Sequence, residues 1–136
     1  DALVVPMQNI TFNLFVYGTL KKGFDNHAYV SHSKFISIAK TAKKYPMITT
    51  HPAFPYLIHQ AGKGYYIHGE VYAVDYKTLI EVDKLEGYPT HYKRVEIEVI
   101  LDNGQKIKSW CYFLAEKIDY MRYNLLSNFE QHLRII

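Results

Sequence analysis

Two stretches hold the residue types best placed to do chemistry: FVYGTLKKG, Phe15 to Gly23, and VDKLEGYPTHYKR, Val82 to Arg94. In the first, an apolar run that reads as a strand end leads into Tyr17, Gly18, Thr19 and Leu20, then two lysines and a second glycine. Successive backbone N–H groups in a turn after a strand can form a nest for an anion. Taken alone, a tight turn that needs a glycine explains Gly18 more simply. Gly18 and Gly23 have the spacing of the two glycines of a phosphate loop, but that motif continues with Lys and then Ser or Thr. Phe24 and Asp25 stand there instead, and no G-x-G-x-x-G is present. Nucleoside triphosphates and dinucleotides drop out on those residues.

In the second stretch Glu86 lies just before Gly87, where a helix is expected to end. The carbonyl end of a helix is unfavourable for a negative charge. If Glu86 also faces an apolar, tyrosine-lined pocket, desolvation raises its pKa further. Asp83, one turn earlier, adds like-charge repulsion if both are buried. The product is a carboxylate titrating closer to neutral pH, able to accept and return a proton. The plainer alternative is a solvated Glu86 paired with Lys93 or Arg94.

Other reactive types are thinly spread. Seven histidines form neither H-x-H nor H-x-x-x-H, and Cys111 is the one cysteine, so no metal site is legible in the spacing. No G-x-S-x-G elbow occurs. Cys111 lies in the strand-like run Ile107 to Leu114 and reads as a small core residue.

The elements that must position Glu86 and the glycine turn follow from periodicity. Thr11 to Val16 reads as a strand, and Phe35 to Ala39 and Tyr56 to His59 have strand character. Pro46, Pro52 and Pro55 argue against a long helix between them. Tyr65 to Val74 alternates, with Ile67, Gly69, Val71 and Ala73 on one face and Tyr66, His68, Glu70 and Tyr72 on the other. Asp75 is a plausible N-cap for a helix over Tyr76 to Leu85, whose inward face reads as Tyr76, Leu79, Ile80 and Asp83. Gly87 sits at C′ and Pro89 prevents resumption. Tyr92 to Leu101 alternates with Val95, Ile97, Val99 and Leu101 inward. Asp102-Asn103-Gly104 is a strong hairpin signal, the Asn-Gly pair accepting the positive φ of a tight turn. Lys106 to Ala115 returns as the partner strand, and the aromatic tail from Glu116 is expected to pack on the body. Strands outnumber helices and the best hairpin is antiparallel. The fold class expected is α+β, a small curved or closed sheet with short helices beside it.

The 136 residues fit one domain spanning 1–136, with no repeat or linker. Residues 1–10 read as a non-native or loosely ordered start: either Met7 is the first native residue or a piece upstream is missing. The net charge of +3 is mild. The lysine clusters Lys21–Lys22 and Lys40–Lys44 read as solvated side chains, so no nucleic-acid partner is expected. No apolar run approaches the ~18 residues of a span, and no membrane is expected. A lone cysteine excludes an internal disulfide framework and fits a reducing compartment, here the cytoplasm.

FVYGTLKKG after a first strand, and D-x-L-E-G-x-P-x-x-Y-x-R over Asp83 to Arg94, resemble the γ-glutamylcyclotransferase superfamily. KYPMI, FPYLI and GKGYYIHGEVYAVD, in that order between them, are similar to it too, and the nearest branch is the AIG2-like γ-glutamylamine cyclotransferases. The resemblance implies a small mixed β-barrel with flanking short helices. It implies a substrate cavity rimmed by Tyr17, Gly18, Thr19 and Leu20, binding a γ-glutamyl head through backbone amides. It places the general acid/base at Glu86, with Tyr56 a further wall residue. The reaction implied is attack by the substrate's own α-amino group on its γ-carbonyl, releasing 5-oxoproline and a free amine of the γ-glutamyl-ε-lysine type. It needs no cofactor and no metal. A monomer or weak dimer acting on a small γ-glutamyl molecule is expected. Alternatives are a γ-glutamyl amino acid or γ-glutamyl-protected intermediate as substrate, or a non-catalytic binding module on the same fold. The tail carries RYN at Arg122 to Asn124, outside the family pattern, and leaves the outer wall unassigned.

Overall fold

The computed structural model describes residues 10–51 and 54–130. The expectation of a non-native or loose start therefore lies outside the described residues except at Ile10, as do Pro52 and His132. Seven strands form: β1 (Thr11–Val16), β2 (Lys34–Tyr45), β3 (Met47–His51), β4 (Phe54–Leu57), β5 (Tyr65–Asp75), β6 (Tyr92–Leu101) and β7 (Lys106–Leu114). One α-helix, α1 (Tyr76–Glu86), lies between β5 and β6, and short 3-10 turns span His27–Tyr29 and Tyr120–Arg122.

Five strands close a barrel in the order β1-β5-β2-β6-β7. Neighbours are antiparallel except at the seam, where β1 runs parallel to β7 with Leu14 opposite Trp110. β3 and β4 pair with each other as a separate hairpin. The α+β barrel expected from the sequence is thus the fold observed.

Local chemistry sets the boundaries. The Asp75 carboxylate accepts the Thr78 N–H at 2.8 Å and caps α1. Gly87 ends it at φ 67°, its N–H reaching Asp83 O and Lys84 O. The β6–β7 connection is longer than a two-residue Asn-Gly turn. Among its residues Gly104 alone has a positive φ, and the Leu101 N–H reaches Gln105 O. A left-handed glycine at the end of a longer loop does the work expected of the Asn-Gly pair.

The barrel interior is filled by Phe15, Ile67, Val71, Ile97, Val99, Cys111 and Phe113, all buried. Cys111 is therefore the core residue expected. A second apolar layer lies outside the barrel, where α1 covers β1 and β5: Leu14, Val16, Tyr72, Val74, Leu79 and Val82. This second layer corrects two readings. Tyr72, expected on a polar face, is 3% exposed, its ring packed against His27 and Phe35 within this layer. The helix buries Thr78, Leu79, Val82 and Asp83 rather than Tyr76 and Ile80. Tyr76 sits at the first turn against Phe12 and is exposed.

The tail packs on the body. The Leu126 N–H reaches Met47 O, Ser127 O accepts the His68 N–H, and Phe129 is buried in the core. Lys21, expected to be solvated, is 7% exposed. Its ammonium donates to Asn128 Oδ1 at 2.9 Å and Phe129 O at 2.8 Å, fastening the tail under the loop after β1.

Gly69 tests the inner packing. A Cβ there would sit 2.4 Å from Val16 O and 2.7 Å from Phe15 Cζ, so β1 and the Phe15 ring occupy the space of a side chain. Gly69→Ala is expected to destabilise the fold by ~2 kcal/mol, read as a lower urea midpoint. An unchanged midpoint would show that this contact is not tight.

Candidate active site

The end of β1 and the end of α1 meet at one narrow cavity. It is lined by Phe15 through Leu20, by Phe54 and Pro55 of β4, and by Glu86, Tyr92 and Tyr112. Tyr17, Gly18, Thr19, Leu20 and Glu86 are thereby brought together from sequence positions some seventy residues apart. About 40 Å³ is open to the centres of water molecules, room for about three of them. A larger groove of about 500 Å³ lies beside Lys21, Lys40, His68, Glu70 and Asp102 and contains neither Glu86 nor residues 17–20. Its most buried polar groups are occupied within the fold: Lys21 by the tail, Glu70 by the Lys22 N–H and the Tyr72 hydroxyl.

The loop after β1 is held by its carbonyls and side chains. Gly18 O accepts the Lys21 N–H, Thr19 O the Asn26 N–H and Leu20 O an interaction with His27 Nδ1. The Thr19 hydroxyl accepts from the Asn26 amide at 2.9 Å. None of the hydrogen bonds among the described residues takes up the N–H groups of Gly18, Thr19 or Leu20. They are three consecutive donors at the rim of the cavity, the arrangement that suits a carboxylate or oxyanion. Gly18 has no left-handed φ. It is glycine because a Cβ would lie 2.9 Å from Pro55 Cγ. Close approach of the β3–β4 hairpin, rather than a strained turn, demands it.

The opposite wall is aromatic, and its hydroxyls are spent elsewhere. Tyr17 donates to Tyr112 O at 2.6 Å, Tyr92 to Pro55 O at 2.9 Å, and Tyr112 to Asp83 Oδ1. Burial, with the nearby Glu86 charge adding to it, pushes all three phenols well above their ordinary pKa. The buried Cys111 thiol behind them is raised in the same way. These groups stay neutral, and they offer Glu86 rings rather than donors.

Glu86 is half-buried against that wall, the last residue of α1. It has no hydrogen-bond or ion-pair partner among the described residues. Burial raises its pKa from the ordinary 4.5 to about 7. The like-charge push expected from Asp83 does not arise. Asp83 is held in a bidentate pair by Arg94, Nε to Oδ1 at 2.8 Å and Nη2 to Oδ2 at 3.0 Å. The same pair removes Arg94 as a surface partner for Glu86.

Tyr56 is not among the lining residues. Its ring lies one layer back, 5.9 Å from Tyr92 and 5.8 Å from His91 between centroids. Tyr92, Tyr112, Phe54 and Pro55 line the cavity without having been singled out from the sequence. The excess of tyrosine, thirteen in 136 residues, was the available signal for the two phenols. Among the described residues no group of three or more His, Cys, Asp or Glu is placed to hold a metal ion. No described helix is long and apolar enough to cross a membrane.

Comparison with known proteins bears on the family and the fold. Residues 14–130 match the family described as gamma-glutamyl cyclotransferase, AIG2-like. A Methanocaldococcus jannaschii protein, provisionally named a γ-glutamylcyclotransferase, is 47% identical over 104 residues, covering 76% of this chain and 84% of that one. Gamma-glutamylaminecyclotransferase A of Danio rerio is 35% identical over 118 residues, covering 81% and 72%. The crystal structure of an AIG2-like protein from Mus musculus superposes with a TM-score of 0.81 at 26% identity, covering 90% of each chain. The chain belongs to the AIG2-like γ-glutamyl cyclotransferase family.

The unpartnered carboxylate has a measurable cost. A group whose pKa rises on folding favours the folded state below the unfolded value, here 4.5, and loses that contribution as pH rises through about 7. Glu86→Gln removes the charge. It is expected to stabilise the protein by ~1–3 kcal/mol at pH 8, allowing for partial exposure, and by much less at pH 5. Melting curves at both pH values check this, and an equal change at the two would show a solvated carboxylate.

Proposed function

We propose that this chain is a γ-glutamylamine cyclotransferase in which Glu86 is the general acid/base. Membership of the family supports a γ-glutamyl substrate, and the relative named a γ-glutamylamine cyclotransferase supports the finer class. The observation that carries the reading is a half-buried carboxylate, poised near pH 7, across one cavity from three unclaimed backbone amides.

The α-carboxylate of the γ-glutamyl group takes the N–H groups of Gly18, Thr19 and Leu20. This curls the chain so that the α-nitrogen approaches the γ-carbonyl carbon. Holding a flexible chain in that near-attack conformer lowers the barrier by several kcal/mol. Ionised Glu86 removes a proton from the α-ammonium and frees its lone pair. The nitrogen attacks, a C–N bond forms, and the carbonyl oxygen becomes an oxyanion. Protonated Glu86 then gives its proton to the leaving nitrogen, the oxyanion re-forms its C=O and the old C–N bond breaks. The second proton of the new ring nitrogen passes through ionised Glu86 to the departing amine, which leaves as an ammonium. 5-Oxoproline and a free amine result, and Glu86 is again ionised. A pKa near 7 suits both halves of this exchange, since neither proton transfer is strongly uphill at neutral pH.

Glu86→Gln keeps the shape and removes the proton carrier. Turnover is expected to fall ~10²-fold or more with the fold intact. Assay is by 5-oxoproline release from γ-glutamyl-ε-lysine beside γ-glutamyl-alanine. Near-parental turnover in the variant would end the assignment, and preference for the alanine compound would end the γ-glutamylamine reading. In the parent, kcat/KM should rise with pH through a limb near 7, because the base must be ionised in the free enzyme. A limb near 4.5 would place Glu86 in water.

A further inference from the structure

Arg94 lines no part of the cavity, yet it touches the chain on both sides of Glu86. Its guanidinium holds the Asp83 carboxylate through two hydrogen bonds, three residues before Glu86. The same guanidinium lies over the ring of Tyr88, two residues after Glu86, at 4.8 Å, and against Trp110 on its other contact at 4.8 Å. The Tyr88 N–H returns to Asp83 O at 2.9 Å, so the segment between the two anchors is a closed loop of backbone. Asp83 also accepts the Tyr112 hydroxyl, and Tyr112 O accepts the Tyr17 hydroxyl from the loop opposite. One cation thus sits at the root of a network reaching both walls of the site.

We propose that Arg94 is the positioning residue of this active site, gripping Asp83 and Tyr88 so that the carboxylate between them is held against the aromatic wall. The inference rests on the reading of Glu86 as the acid/base, and it adds what keeps that side chain from swinging into water. Glu86 has no partner of its own among the described residues, so its place depends on how the chain on either side of it is held. Lysine cannot replace arginine here. It lacks the two-pronged donor that fits Asp83 and the flat face that packs between Tyr88 and Trp110. The titratable groups facing Glu86 across the cavity are Tyr17, Tyr92 and Tyr112, with the Cys111 thiol behind them, all neutral, so its titration reports its exposure to water.

The test is Arg94→Lys, which keeps a positive charge beside Asp83. Glu86 is followed by its carbon-13 carboxyl signal across pH, assigned by its loss in Glu86→Gln. Turnover is measured beside it. In the parent the signal is expected to titrate near 7, and in Arg94→Lys about one pH unit lower or more. At the same time kcat should fall ~10–100-fold with KM within about threefold, as for a misplaced catalytic group. An unmoved titration overturns the proposal, whether or not kcat falls, because a fall alone marks general loosening. Should Arg94→Lys not fold, the double variant Asp83→Leu with Arg94→Met removes both charges together and is judged by the same two readings. If the parent releases no 5-oxoproline, the enzyme reading fails, while the titration still decides the role of Arg94.

Discussion

Taking a carboxylate out of water without giving it a partner opposes folding, and most proteins avoid it or pair the charge. Glu86 is in that position. It closes α1, where carbonyls rather than amides face it, and it looks onto three tyrosine rings whose hydroxyl protons are bound to Tyr112 O, Pro55 O and Asp83. Each of those bonds removes a donor that would have lowered its pKa. The aromatic wall therefore does two things through one arrangement. It closes the cavity, and it holds a carboxyl near neutrality, where a proton moves either way at little cost.

The barrel supplies the precision this needs. β1 buries both faces, Phe15 inward and Leu14 and Val16 under α1, so the strand that delivers the loop cannot slide without exposing one layer or the other. α1 rests on the same strand, so loop and helix end are referenced to a common support. The third support is the β3–β4 hairpin, a separate sheet that packs Met47 and Leu57 into the core and sets Pro55 against Gly18. From beneath, the buried Lys21 ammonium ties the loop to Asn128 and Phe129 of the tail. A short loop with three unclaimed amides is thus pinned from the side by proline and from below by a cation.

Much of this was legible in the chain. β1 and β6 form where the sequence places them, β1 as an apolar run ended by the glycine turn and β6 through the alternation of Val95, Ile97, Val99 and Leu101. Asp75 and Gly87 mark the ends of α1 through hydrogen bonds local to a few residues. The region around β5 was less legible. Its outer face is covered by a second apolar layer, with His27 and Phe35 against the Tyr72 ring, so Tyr72 and Val74 are buried where alternation alone predicts one exposed face. Lys21 was misread for a related reason. A lysine just past a glycine turn looks solvated until a tail more than a hundred residues later supplies two oxygens for it.

By itself the sequence determined most of the elements, the capped ends of α1, and the two motifs around Thr19 and Glu86, since these depend on backbone preference and on neighbours within a few residues. It did not show β3 or the full length of β2. Tertiary structure alone decided that the two motifs share a cavity and that its wall is Tyr17, Tyr92 and Tyr112. It also decided that Asp83 turns to Arg94 while Glu86 is left without a partner among the described residues. Those outcomes depend on which side chains meet after the barrel closes. A carboxylate's pKa answers to the atoms around it in space, and Asp83 and Glu86, three residues apart on one helix, end in opposite electrostatic surroundings.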